Sequence, residues 1–291
     1  MPVNEPRKHH YIPQFYLRNW ADSDGRVICY KRVPTGRLVH DQVAPKSTGY
    51  EEDLYTLDHL PAGIRQAIET YITADVDDRA AKSLQEMVKT KGVRTLTPEQ
   101  RLSWSQFIVS LPIRNPEAVA DIKETATKSG MEKACEEAKR KFPEWAQEDD
   151  FGTEFEEIVN EDPQTRFLSD NYGLLVITAL MRNQQFHKPL LSMKWWVIDF
   201  SRSGLSLIVG DRPYVNFRPI SHPRTLIYLP ISPSLGFFAS PEPEKERQLR
   251  NQDARFVARE MNRRQAAFAA RYIYSADLQH KRLVEKHLRE T

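Results

Sequence analysis

Apolar residues recur along this chain with two periods, and the change between them divides it. Ile64, Ile68, Ile72 and Val76 stand four apart, and Leu84, Met87 and Val88 continue the pattern. That spacing predicts one long helix or two consecutive helices over residues 62–90. Thr97-Pro98-Glu99-Gln100 predicts a helix start: threonine caps, proline takes the first turn and glutamine completes a capping box. Trp104, Phe107, Ile108 and Leu111 then share one face, which ends near Pro112. A further helix is predicted from Pro116 to Arg140. Residues Leu168–Phe186 are apolar nearly all round, which predicts a central buried helix.

The two ends of the chain carry the shorter period. Arg26–Arg32 and Arg37–His40 flank Val-Pro-Thr-Gly and predict a β-hairpin. Lys194–Phe200, Leu205–Val209, Thr225–Pro230 and Leu235–Ala239 are short β-rich runs separated by turn residues. Asn251–Tyr274 returns to helical spacing, with Val257, Met261, Phe268 and Tyr272 roughly on one face, and Asp277–Arg289 predicts a short polar helix. The expectation is an α+β protein: a large helical middle with a small, mostly antiparallel sheet formed from N-terminal and C-terminal segments. A single domain over 1–291 is expected. Its helical part covers about 62–190, its β-rich part about 8–60 and 194–240, and its C-terminal helices about 246–289.

Composition narrows this picture only a little. With 291 residues, 40% of them hydrophobic, the chain can bury a substantial core without disulfide staples. Cys29 and Cys135 are too few for a disulfide or cysteine-rich zinc framework, which suits a reducing compartment, and Cys29 is expected inside a strand. A net charge of +2 gives no global argument for nucleic acid or membrane. The N-terminus has no signal-like apolar stretch, and the longest apolar run, Leu174–Met181, is too short to span a bilayer. A soluble, cytoplasmic protein is therefore expected. Residues 143–162 hold nine acidic side chains and no lysine or arginine, which reads foremost as a solvated segment. P-loop, dinucleotide, Gly-x-Ser-x-Gly and His-Glu-x-x-His signatures are absent.

Candidate chemistry gathers at 8–20, Lys-His-His-Tyr-Ile-Pro-Gln-Phe-Tyr-Leu-Arg-Asn-Trp. His9 and His10 supply imidazoles for proton transfer or metal binding, and in an extended segment they point to opposite faces. Arg18 and Arg114 suit a bidentate anion contact, although Arg114 also compensates a helix C-terminus. Asp211 follows an apolar strand and precedes Pro213, which fits either a reactive carboxylate or an Asx-turn. Asn262 is a mediocre helix former, and a buried hydrogen bond to the His-His segment or to the Asp211 turn would account for it. Glu69, Asp75, Asp77 and Asp78 form an acidic group on the first long helix, either solvated or holding a divalent metal beside histidine. Arg255, Arg259, Arg263 and Arg264 make a basic stripe that would meet phosphate or the acidic segment.

The string at 9–18, Gly-Asp-Arg-Pro at 210–213, Leu-Pro-Ile-Ser-Pro at 229–233 and Met-Asn at 261–262 together resemble a family known only as a domain of unknown function, number 4238. The resemblance covers nearly the whole chain. It implies a shared fold and shared site positions, and it assigns no chemistry.

Two functions follow as expectations. In the first, the protein hydrolyses phosphodiesters, as a metal-dependent nuclease would. His9 or His10 acts as base or metal ligand, Asp211 orients it or shares a divalent metal with His10, Arg18 stabilises developing charge, and Asn262 supports the site. Nucleic acid is then a partner. In the second, the chain is a non-catalytic binding protein in which the His-His segment is structural. A toxin or immunity-type partner protein is a third class compatible with the segregated charge.

Overall fold

A computed structural model describes residues 7–61, 64–141, 157 and 161–289. The chain opens with strand β1 (Lys8–His10), helix α1 (Gln14–Leu17) and the hairpin of β2 (Val27–Arg32) and β3 (Leu38–Val43), followed by β4 (Tyr50–Glu52). Helices α2 (Ala67–Tyr71), α3 (Asp78–Thr90), α4 (Pro98–Ser110), α5 (Pro116–Lys141), α6 (Pro163–Arg182) and α7 (Gln184–Ser192) form the middle. Then come β5 (Lys194–Asp199), β6 (Val209–Gly210), β7 (Val215–Asn216), β8 (Ile227–Pro230) and β9 (Leu235–Ser240). Helix α8 (Lys245–Arg250), α9 (Ala254–Phe268), β10 (Tyr272–Ser275) and α10 (Lys281–His287) finish the chain. The fold is α+β, as the two periodicities predict.

The strands form three antiparallel sheets rather than one. The order β3-β2-β10-β6 joins the N-terminal hairpin to C-terminal strands, with Tyr274 opposite Cys29 and Val209. The order β5-β9-β8-β7 is built entirely from residues 194–240. Strand β1 pairs with β4, placing His9 opposite Glu51 and His10 opposite Tyr50. One core cluster collects Tyr11, Tyr16 and Trp20 from the N-terminus, Leu84 and Met87 from α3, Trp104 and Phe107 from α4, and Leu229 and Phe237 from the second sheet.

Several helices follow their sequence signals closely. Thr97 accepts from the Gln100 amide at 3.2 Å while the Gln100 side chain accepts from the Thr97 amide at 2.9 Å, completing the capping box. Trp104, Phe107, Ile108 and Leu111 are all buried. The predicted 62–90 helix contains a π-helical stretch at Ile72–Asp77 between α2 and α3, and Ile64 lies outside it, exposed.

Three expectations are corrected. Leu168, Tyr172, Leu175 and Phe186 are exposed, so the apolar 168–186 stretch is not a fully buried helix. Helix α6 buries Leu174, Ile177 and Met181 among Ile68, Ile72 and Val119, and its N-terminal start is capped by Asp162 through the Thr165 amide at 2.8 Å. Residues Leu205–Ile208 are not strand, because side chains rather than a neighbouring strand satisfy part of their backbone. The predicted 251–274 helix stops at Phe268, and Tyr272 belongs to β10, where β-branched and aromatic residues favour a ladder. The acidic 143–162 segment, apart from Glu157, Glu161 and Asp162, lies outside the described residues. Among the described residues no helix is long and apolar enough to cross a membrane.

Helices α5 and α6 approach at Gly173, where an added Cβ would sit 2.4 Å from the Lys123 Cα. Backbone cannot yield to that contact as a flexible side chain would. Gly173→Ala is therefore expected to destabilise the protein by about 1–3 kcal/mol, the usual range for overpacking. A shift in the urea midpoint measures it.

Candidate functional site

The N-terminal segment is stitched into the molecule along its whole length. The Trp20 indole donates to the Leu207 carbonyl at 2.8 Å, the Tyr16 hydroxyl donates to the Pro230 carbonyl, and the Ile12 amide donates to the Gly49 carbonyl at 3.1 Å. His9 is completely buried; its Nδ1 accepts from the Tyr55 amide at 2.9 Å and its ring lies parallel to Tyr55, centroids 5.7 Å apart. His10 tilts against Tyr50, with centroids 5.5 Å apart. The two imidazoles thus face different surroundings, as an extended backbone requires.

Beneath this strand lies a buried charge cluster. Arg114 has no exposed surface and donates to both Asp77 carboxylate oxygens, at 2.8 and 2.9 Å, and to the His10 carbonyl at 2.9 Å. The Tyr55 hydroxyl donates to the Arg114 carbonyl. Burial pushes the Asp77 carboxyl up and the guanidinium pulls it back; because arginine keeps its charge, the pair is held ionised. Glu69 is pushed up to about 7 by burial, against the pull of Arg114. His10 is lowered, chiefly by burial, with Lys46 and Lys8 carbonyls opposing. The Nε2 of His10 and the Oε2 of Glu69 are buried without hydrogen-bond partners among the described residues. Sequence spacing grouped Glu69 and Asp77 with Asp75 and Asp78, but only the first two are buried; Asp75 faces solvent and pairs with Arg79 at 3.1 Å.

Asp211 belongs to a different joint. Its Oδ1 accepts from the Ala270 amide at 2.8 Å, and its Oδ2 accepts from Arg271 and Tyr272 at 2.7 and 3.2 Å. Burial raises its pKa, with these three amides opposing. The carboxylate thereby ends α9 and starts β10. Asn262 answers from α9: its Oδ1 accepts from the Ile208 amide at 3.0 Å and its Nδ2 donates to the Ser206 carbonyl at 2.8 Å. One turn on, Gln265 accepts from the Gly210 amide at 2.9 Å and donates to the Pro213 carbonyl at 2.7 Å. Gly210 is required there, since a Cβ would lie 3.0 Å from the Gln265 carbonyl oxygen and the Ala269 Cβ.

The described contacts of the sequence-predicted residues fall in separate networks, His9 and His10 against Tyr55 and Tyr50 and Asp211 against the amides of residues 270–272. Tyr11, the residue after the His pair, is the one placed electrostatically among Asp211, Arg271 and Glu117. Arg18 is exposed, and its side chain lies 3.5 Å from the Gln14 Oε1. Asn262 bonds the non-strand 206–208 segment leading to the Asp211 turn. Arg114 makes its bidentate carboxylate contact inside the fold, with Asp77. The donor set for a metal shared by His10 and Asp211 does not fit: both Asp211 oxygens carry backbone amides, and no described group of three or more His, Cys, Asp or Glu side chains could hold an ion. On the basic stripe, Arg263 and Arg264 pair with Glu260 of the same helix, at 2.6 and 3.0 Å.

What the Asp211 joint does present is Arg212. It lines a cleft of about 520 Å³ between the end of α4, the first turns of α5, α6, α7 and the 212–220 segment. Ile108, Leu111, Ile113, Leu180, Phe186, Ile220 and Phe268 form its apolar wall. Glu117, Asp121, Asn115, Tyr214 and Asn216 supply polar groups. Glu117 is shared by Arg212 at 3.3 Å and Arg271 at 3.4 Å, and Arg271 also reaches Glu51 at 3.2 Å. Burial pushes the Tyr214 phenol up to about 12, so it stays a hydrogen-bond donor. Arg212 lay within the Gly-Asp-Arg-Pro motif and was readable as a candidate; nothing in the sequence distinguishes Glu117 from other helix-starting glutamates.

The chain belongs to the family described as Protein of unknown function (DUF4238), whose model matches residues 8–278. No curated protein and no solved structure matches it. Motif segments that carry the resemblance meet in the fold: Tyr16 holds Pro230, and Asn262 holds the approach to Asp211.

Two outcomes are expected. Asp211→Ala leaves three amides without an acceptor and should cost about 3 kcal/mol or more, read by thermal unfolding, with Asp211→Asn intermediate. Between its ordinary 4.5 and about 7 the folded protein holds a proton on Glu69 that the unfolded chain has lost. Stability should therefore fall as pH rises through that window, by on the order of 3 kcal/mol. His10 acts oppositely, removing stability as pH falls below 6.5. Glu69→Gln isolates the first effect: the variant should gain on the native protein as pH rises, in urea titrations from pH 5 to 8.

Proposed function

We propose that this protein is a non-catalytic binding protein, that the cleft beside Arg212 is its recognition surface, and that the His-His segment is structural. One observation carries the reading. The polar atoms of Asp211 and the Nδ1 of His9 are engaged inside the fold, whereas Arg212 lines the cleft with Glu117 as its one ion-pair partner among the described residues. A concavity of this size, apolar with a few convergent polar groups, is the form that ligand sites take.

Phosphodiester hydrolysis is the second reading, and its support is two buried atoms, His10 Nε2 and Glu69 Oε2, without hydrogen-bond partners among the described residues. Glu69 near neutrality has the proton affinity of a general base or acid. Against it, both terminal nitrogens of Arg114 are taken by Asp77 and the His10 carbonyl, which leaves no fork for phosphate.

Two measurements separate the readings. The fluorescent apolar anion anilinonaphthalene sulfonate is expected to bind the folded protein saturably with one site. Ala118→Trp, which fills the cleft, should weaken it about tenfold or more, equivalent to about 1.4 kcal/mol, without lowering the melting temperature. Equal binding by native protein and variant would remove the cleft from consideration. A chromogenic phosphodiester, with and without manganese, is expected to show no turnover; turnover lost in His10→Ala would establish the hydrolase instead.

A further inference from the structure

The cleft runs beside an open sheet edge, and that edge defines what kind of molecule can occupy it. In the order β5-β9-β8-β7, strand β7 has a neighbour on one side only. Val215 is in register with Tyr228 and Asn216 with Ile227, and the Phe217 amide donates to the Leu226 carbonyl at 3.0 Å. Antiparallel ladders alternate, so hydrogen-bonded positions at Phe217 and Val215 turn the N–H and C=O groups of Asn216 and Tyr214 away from β8. Among the described residues no backbone group pairs with either. Both residues line the cleft, and so does Arg212 just upstream.

An added strand running antiparallel to β7 would end near Arg212, because β7 runs away from it. Arg212 is half-exposed, and among the described residues it makes one ion pair and its Nε has no hydrogen-bond partner. Arg212 and Arg271 share the Glu117 carboxylate, but Arg271 also has Glu51, so Arg212 is the less fully paired guanidinium of the two. Asp121 sits one turn further along α5 and opposes a second acidic group there.

We propose that this cleft captures the C-terminal end of an extended apolar peptide by adding it as a strand to β7, with the terminal carboxylate at Arg212. Main-chain bonds to Tyr214 and Asn216 hold the peptide, and its alternate side chains enter the apolar wall, the usual division of labour in strand addition. At roughly 3.3 Å per residue, three or four peptide residues span the distance from Arg212 to Asn216. The proposal rests on the cleft being the binding surface and goes further by naming the ligand class.

The test uses the full-length protein and a fluorescein-labelled peptide ending in Val-Leu-Ile, as the free acid and as the C-terminal amide. Fluorescence anisotropy is expected to show the acid binding at least tenfold more tightly than the amide, and the acid displacing anilinonaphthalene sulfonate. Arg212→Gln should erase the preference for acid over amide. Asn216→Pro removes an outward-facing donor from an edge strand, where proline is tolerated, and should weaken both peptides at least tenfold with the melting temperature retained. Equal affinity for acid and amide, or a preference that survives Arg212→Gln, overturns the carboxylate assignment. Peptide binding unchanged in a folded Asn216→Pro overturns strand addition. If the dye binds the cleft and neither peptide does, the ligand class is wrong while the binding reading stands; if neither dye nor peptide binds, both fall.

Discussion

The two hydrogen bonds from Arg114 to Asp77 hold together parts of the chain that share no local reason to meet. Asp77 closes the π-helical stretch between α2 and α3, Arg114 sits where α4 gives way to α5, and the guanidinium's remaining contact is the carbonyl of His10. Taking both charges out of water costs several kcal/mol per ion, so the pair is weak evidence of net stability. Its consequence is positional. A guanidinium without Asp77 would be a buried uncompensated charge, so α3, the α4–α5 junction and β1 are confined to one mutual arrangement. That arrangement sets where α5 begins, and therefore where Glu117 and the wall of the cleft stand.

The C-terminal third is fixed by the same device in neutral and single-charge form. Asp211, Asn262 and Gln265 are polar side chains that complete backbone hydrogen bonding where regular ladders stop. Buried amides and carbonyls need partners, and a side chain can supply one where no strand lies alongside. This is why a carboxylate that has the look of a catalytic group serves as the junction between α9 and β10. It also explains how an N-terminal segment with two histidines and four aromatics is held: through Tyr16 and Trp20 donating to carbonyls about two hundred residues away.

Local signals in the chain were legible where the physics is local. The Thr97 capping box, the four-residue spacing of Ile68, Ile72 and Val76, and the hairpin of β2 and β3 each depend on neighbours within a few residues. Residues 168–186 depart from the expectation because apolar composition carries no direction: Leu174 and Ile177 are buried against α5 and α2, whereas Leu168 and Tyr172 stay exposed. The extension of the last long helix past Phe268 failed for a related reason. Helical spacing continues through Tyr272, but the amides of residues 270–272 are taken by a carboxylate sixty positions earlier.

The candidate site was half legible. Residue types and motif positions named His9, His10, Asp211, Asn262 and Arg114 as special, and every one of them except His10 is fully or almost fully buried. Family membership is likewise a property of the string of residues. Roles were not legible, because a role depends on which partner arrives. An aspartate is a base, a metal ligand or an acceptor for three amides according to what surrounds it, and those surroundings come from distant segments. Sequence alone established the α+β class, the helix starts and the residues worth asking about. Tertiary structure decided that Asp211 is a backbone acceptor and that Arg212, its neighbour, faces the cleft, since only folding brings α5, β7 and α9 to one place.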